Sequence, residues 1–361
     1  MRREEIQQAR IPVCVEKSRS KKLFDFLDKP AKGRRFFTQT STGSAMIVVE
    51  NLHKHFGSKV AVDGVSFTVN KGEVLGFLGP NGAGKSTTMR MVTGFLPPTI
   101  GRVTIGGADI EENEIEAKSK IGYLPEAAPL YSDMTVEGFL RFAAEMRRVP
   151  ASEIKSAVDR AIETTFLEPV RHQSVDTLSK GYRHRTCFAQ SIIHDPEVLI
   201  LDEPTDGLDP NQKQEIRQLI RRMGETKAII FSTHILEEVD ASCTRAIIID
   251  RGRIIADGTP AELKAKATNA GVVLLRARGL AGSGIKAEIE KLDAASSVEV
   301  ILSDDNGITA RITPAKGKAD RLSAAVFGVC KDKNLSVDEL KVEEGRLDLL
   351  FREITKTDAE K

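Results

Sequence analysis

The run Gly79-Pro80-Asn81-Gly82-Ala83-Gly84-Lys85-Ser86-Thr87 sets glycines, a lysine and two hydroxyls within one short stretch. Such a run suits phosphate. Glycines let successive backbone N–H groups converge on phosphate oxygens, a helix starting at the lysine adds positive potential, Lys85 reaches the β- and γ-phosphates, and the Ser86 hydroxyl ligates Mg²⁺. Far along the chain, Val198-Leu199-Ile200-Leu201 runs into Asp202-Glu203-Pro204. A buried strand would lift both carboxylates to its carboxyl end, where ligands bind in open α/β sheets. Neighbouring residues there face opposite sides, so Asp202 is expected to hold the Mg²⁺ shell and Glu203 to orient and polarise an attacking water. Leu178-Ser179-Lys180-Gly181-Tyr182 adds a second phosphate-contacting segment, with the Ser179 hydroxyl and the Gly181 N–H at a helix start. Hydrolysis of a nucleoside triphosphate, with ATP as substrate, is the expected chemistry. A connecting glycine turn or a surface Asp-Glu pair would explain either stretch alone, but neither explains all three in this order.

Those groups need a scaffold. Val74 to Leu78, Val198 to Leu201, Ala228 to Phe231 and Ala246 to Ile249 are short apolar runs suited to strands buried on both faces of a parallel sheet, while Met89 to Val92 reads as strand or buried helix. An α/β architecture over residues 46–264 follows. Within it, residues from about 134 to 195 change to helical periodicity without strands between Val136 and Phe166, as a helical insert would. Residues 265–361 carry no catalytic motif but remain patterned. Val272 to Arg276, Ile285 to Leu292, Val298 to Leu302, Ile308 to Ile312, Leu322 to Lys333 and Leu335 to Val342 predict the order βαββαβ, a small α+β domain of ferredoxin-like pattern.

Composition narrows the function classes. Lys and Arg number 53 against 52 Asp and Glu, a net charge of +1, so the overall basic field of a dedicated nucleic-acid binder is missing. The balance is uneven: residues 1–45 hold eleven Lys or Arg against five Asp or Glu. That segment reads as a disordered basic extension, with translation starting instead at Met46; the competing reading is a basic arm whose Lys21 to Asp28 stretch touches a membrane surface. Cys14, Cys187, Cys243 and Cys330 lack metal-ligand spacing and fit a reducing cytoplasm. No apolar run reaches the length of a spanning helix, and the start lacks a secretion-signal pattern or lipid-anchor expectation.

By its phosphate loop, its Leu178 to Gly181 segment and its Asp202-Glu203 pair, the chain resembles the ATP-binding subunits of ATP-binding cassette (ABC) transporters over roughly Ile47 to Leu263. The resemblance implies a P-loop cassette with an antiparallel β subdomain and a helical subdomain. It also implies a head-to-tail homodimer in which Lys85 of one copy and Ser179-Lys180-Gly181 of the other sandwich one ATP. Phe56 falls where the family places an aromatic against adenine. His234, after Ser232-Thr233, falls at the switch histidine that contacts the γ-phosphate, and Asp209 lies in the segment that couples the two sites. Three positions depart from the family: Lys180 and Tyr182 in the signature, and Glu126 where a glutamine senses Mg²⁺ and faces the membrane partner. Such variants resemble the type-2 exporter branch, with a C-terminal extension and a separately encoded integral-membrane permease. The resemblance thus implies a cytoplasmic ATPase, peripheral on the inner membrane face, that powers export. The competing classes are a non-transport ABC ATPase acting on ribosome or DNA, and a P-loop kinase or GTPase, which would leave Leu178 to Gly181 and His234 without a role.

Overall fold

The computed structural model describes residues 45–127 and 129–355. The readings made of residues 1–44, including the basic extension, Lys21 to Asp28 and Cys14, lie outside the described residues, as do residues 356–361.

Long strands β1 (Ala45–Phe56) and β2 (Lys59–Asn70) open the described chain, followed by β3 (Val74–Leu78), α1 (Lys85–Val92), β4 (Ile100–Ile105), β5 (Ala108–Asp109), α2 (Glu114–Ser119) and β6 (Ile121–Leu124). Helices α3 (Val136–Met146), α4 (Ile154–Thr164) and α5 (Lys180–Ile192) then come without a strand between them. Alternation resumes with β7 (Val198–Asp202), α6 (Pro210–Gly224), β8 (Ala228–Thr233), α7 (Leu236–Ser242), β9 (Arg245–Asp250), β10 (Arg253–Gly258) and α8 (Pro260–Ala265). The last part is β11 (Val273–Arg278), α9 (Gly282–Ile289), β12 (Ala295–Ser303), β13 (Gly307–Pro314), α10 (Ala319–Asp332), β14 (Ser336–Val342) and α11 (Leu347–Ile354). No helix among the described residues is long and apolar enough to cross a membrane.

The central sheet runs β10-β9-β3-β8-β7-β6, parallel except for β10 on β9. Its inner strands β3, β7 and β8 are buried along their length and apolar up to the carboxyl ends of β7 and β8, because both faces are covered. Leu75 and Phe77, Val198 and Ile200, and Ala228 and Ile230 face α1 and the antiparallel sheet β2-β1-β4-β5, whereas Val74, Leu199, Leu201, Ile229 and Phe231 face Ile216, Leu219 and Ile220 of α6. Met89 to Val92, ambiguous as sequence, forms the inner turn of α1. The helical insert has a core of its own. Phe139, Leu140, Ala143 and Ala144 on α3 meet Ala157, Val158, Ala161 and Ile162 on α4, the i, i+3, i+4 stripes of two amphipathic helices.

Beyond α8 the chain forms an antiparallel sheet of order β12-β13-β11-β14, with the first and third strands adjacent as in a split βαβ arrangement. Val273, Leu275, Ala277, Ile308, Ala310 and Ile312 pack on Ile285 and Ile289 of α9 and on Leu322 and Val326 of α10. Helix α11 lies within the span 265–361 expected as an accessory unit. Leu347 and Leu350 return to the cassette and pack with Leu78, Val239 and Leu263, because one apolar face of a short helix has to be buried somewhere. The two connections to the accessory sheet are stitched together: Gly271 N donates to Glu343 O at 3.1 Å and Glu343 N to Val272 O at 2.7 Å.

Candidate functional site

The phosphate loop joins β3 to α1. Gly84 caps the helix at φ 106°, a left-handed value, and a Cβ there would lie 2.7 Å from Ala61 O. At Gly79 a Cβ would lie 2.5 Å from Ile249 O, so both positions need glycine for reasons independent of phosphate. Lys85 is only 6% exposed, and its Nζ donates to Gly79 O at 2.8 Å and Pro80 O at 3.3 Å. Burial lowers the Lys85 pKa, opposed by the nearby carboxylates Glu203, Asp202 and Glu126.

The carboxylates come from the end of β7, next to β8 in the sheet, with Asp202 in register with Ser232. The Ser232 hydroxyl donates to Asp202 Oδ1 at 2.5 Å and accepts from Glu203 N at 3.0 Å. The Ser86 hydroxyl donates to the same Asp202 oxygen at 3.3 Å. Asp202 is 1% exposed and its Oδ2 is buried without a partner among the described residues, a carboxylate oxygen that a divalent cation beside Ser86 would satisfy. The residues fit Mg²⁺ on that ground. Glu203 adopts φ 52°, left-handed for a side chain with a Cβ, which costs roughly 1–3 kcal/mol and turns the chain sharply out of the strand. Its Oε2 lies 2.9 Å from His234 Nδ1 and its Oε1 3.8 Å from Lys85 Nζ. Burial raises the Glu203 pKa, with His234 and Lys85 pulling the other way.

A cleft of about 670 Å³ gathers the loop residues Asn81, Gly82 and Gly84 to Thr87 with Phe56, Glu126, Glu203 and His234. Phe56, the last residue of β1, is half exposed at its rim with Lys54 Nζ 5.4 Å from the ring centre. Pro80, Ala83 and Gly79 shape the loop from behind: Ala83 N donates to Pro80 O and Ala83 is buried. Glu126 lies just past β6 and also borders a second cleft of about 390 Å³ with Lys180, Arg183 and His184. The His184 ring is buried there with neither nitrogen partnered among the described residues, and burial depresses its pKa.

Ser179, Lys180 and Gly181 do not line the Lys85 cleft among the described residues. Ser179 caps α5, accepting from Tyr182 N at 3.3 Å, and Lys180 Nζ lies 3.0 Å from Asp206 Oδ2. Asp209 caps α6, accepting from Gln212 N at 2.9 Å. In the sequence Ser232 is a serine at a strand end with no distinguishing pattern. Only the strand pairing, which sets it opposite Asp202, shows that its hydroxyl orients both acidic residues.

A family model described as "ABC transporter" matches residues 62–206. The chain is 32% identical over 311 residues to the linearmycin resistance ATP-binding protein LnrL of Bacillus subtilis (strain 168), covering 86% of this chain and 98% of that one. It is 39% identical over 223 residues to the Nod factor export ATP-binding protein I of Ralstonia nicotianae, covering 61% of this chain and 70% of that one. The solved structure of cbiO1 from Clostridium perfringens, described as part of the ABC transporter complex cbiONQ, aligns with a TM-score of 0.55 at 31% identity, covering 62% of this chain and 92% of that one.

Proposed function

The chain belongs to the ABC transporter ATP-binding family, and on that premise we propose that two copies, clamped head to tail around two ATP molecules, drive export through a separate membrane permease. It binds and hydrolyses ATP to power that permease. The observation that carries the mechanism is Glu203, held between His234 and Lys85 one residue past the unpartnered oxygen of Asp202.

In this reading Phe56 stacks on the nucleobase, and the loop from Gly79 to Thr87 cradles the phosphates with backbone N–H groups, Pro80 having none to offer. Lys85 exchanges its contacts with Gly79 and Pro80 for phosphate oxygens. Ser86 and Asp202, with Glu126 lining the same cleft as Ser86, would hold Mg²⁺, which when bound would neutralise charge on the β- and γ-phosphates. Glu203 takes the proton of the attacking water, a role helped by the raised basicity that its burial confers. His234 steadies the Glu203 carboxylate and senses the γ-phosphate. Ser179, Lys180 and Gly181 close the site of the other copy, and Asp209 couples the two sites. The exposed Ser179 and Lys180 support this, since their own cleft does not use them.

Export is supported by the names of the relatives, one a resistance protein and one an export protein. A place on the cytoplasmic face of the membrane follows from the permease partner, which we propose docks at the cleft beside Glu126 and His184. The two relatives named above are described as a resistance and an export protein, which does not favour action on ribosome or DNA. Glu203→Gln should retain ATP binding and lose turnover by roughly 10²- to 10⁴-fold. Near-normal hydrolysis in that variant would remove Glu203 from the reaction, and co-purification with ribosomes in place of a multi-spanning membrane protein would remove the transport role.

A further inference from the structure

Glu238 sits on α7, one helical turn past His234, and is 1% exposed. A buried carboxylate is costly unless its oxygens are filled by donors. Here they are. The Thr205 hydroxyl and Arg217 Nη2, the latter at 3.4 Å, donate to Oε1, and the Thr233 hydroxyl donates to Oε2 at 2.6 Å. The three donors come from three different elements: the turn after Glu203, helix α6 and the end of β8.

The positions of those donors matter for the reaction. Thr205 anchors the turn through Asp206 and Gly207, with Leu208 N donating to Thr205 O at 3.3 Å, and that turn ends at Asp209. Thr233 immediately precedes His234, and its hydroxyl also accepts from Ile235 N at 3.0 Å, so it brackets the histidine on both sides. One oxygen of Glu238 therefore holds the segment read as facing the second copy, and the other holds the residue that carries His234. Displacing Thr205 alone would strip a donor from a buried charge, so the two segments are cheapest to move together.

We propose that Glu238 is a positioning residue that transmits closure of the dimer from the Thr205 to Asp209 segment to His234, and through His234 to Glu203. The inference rests on the ATP-sandwich reading above, and Glu238 touches no reactant.

Glu238→Gln keeps the size of the side chain and removes its charge, so the hydroxyl network loses its fixed direction. The expected result is a kcat about 10- to 100-fold lower with KM for ATP within about threefold, the pattern of a misplaced catalytic group with intact binding. In a Glu203→Gln background the added change should leave ATP affinity, by calorimetry, and ATP-driven dimerisation, by light scattering, unaltered. Thr205→Val and Thr233→Val test the same link without touching the carboxylate. Each should lower kcat, the double variant should be no worse than the poorer single one, and serine at either position should restore activity. A Glu238→Gln enzyme with parental kcat overturns the proposal, as do a loss of kcat matched by loss of ATP affinity and multiplicative effects of the two valines. If Glu203→Gln alone forms no ATP-dependent dimer, the sandwich reading itself falls, and the proposed link falls with it.

Discussion

Lys85 and Ser179 head two segments that are read as gripping ATP from opposite sides, and their surroundings differ sharply. Around Lys85 the polar groups are mutually bonded and, apart from the exposed His234, buried or half-buried: Ser232 and Ser86 on Asp202, His234 on Glu203, and loop carbonyls on the lysine. Around Ser179 the groups are exposed, and Lys180 makes a surface ion pair with Asp206 of its own chain. Buried hydrogen bonds to charged groups are strong and directional, whereas exposed ion pairs contribute about 0–1 kcal/mol. One half of the site is organised by folding itself; the other is held loosely enough to change partners in the head-to-tail dimer proposed above.

The contrast can be broken from either side. Lys85→Ala should have the largest effect, weakening ATP binding by at least about tenfold through loss of charge-assisted contacts, read by calorimetry with ATP and Mg²⁺. Ser232→Ala should cost about 1–3 kcal/mol in urea unfolding, because Asp202 Oδ1 and Glu203 N each lose a buried partner. A stability equal to the parent would mean that this half is not preorganised through Ser232. Acidification sharpens the same point. A base must be deprotonated to act, and the raised Glu203 pKa places the acid limb of kcat/KM above the ordinary 4.5, with activity lost as pH falls through it. Because His234 pulls that pKa down, His234→Ala should shift the limb of the residual activity to still higher pH. Lys180→Ala should have the smallest effect, changing stability by less than about 1 kcal/mol in the isolated subunit. A larger loss would show that the Ser179 half is as firmly built as the Lys85 half.

Much of this was legible as sequence. The glycines at 79, 82 and 84 declare the loop through local backbone demands, and Val198 to Leu201 declares its strand by unbroken hydrophobicity. The accessory βαββαβ order also emerged from periodicity alone, and the strand order then set β11 beside β13 as that pattern requires. Ser232 and Glu238 are not legible in the sequence, for opposite reasons. A serine at a strand end has no distinguishing pattern, and a glutamate in Leu236-Glu237-Glu238-Val239 looks like a solvated helix residue. Its burial depends on α6 and on the turn after Glu203 packing over it.

The sequence by itself determined the chemistry that each segment carries: a phosphate loop, paired carboxylates after a buried strand, and a helix start with a hydroxyl cap. Those are matters of neighbours along the chain, where spacing and backbone conformation are set locally. Only the tertiary structure decided that β3, β8 and β7 lie side by side, which brings Lys85, Ser232, Asp202, Glu203 and His234 within bonding reach. It also decided that α11 returns to the cassette. Those outcomes depend on burying apolar faces that lie far apart in sequence, a collective free energy that no local pattern encodes.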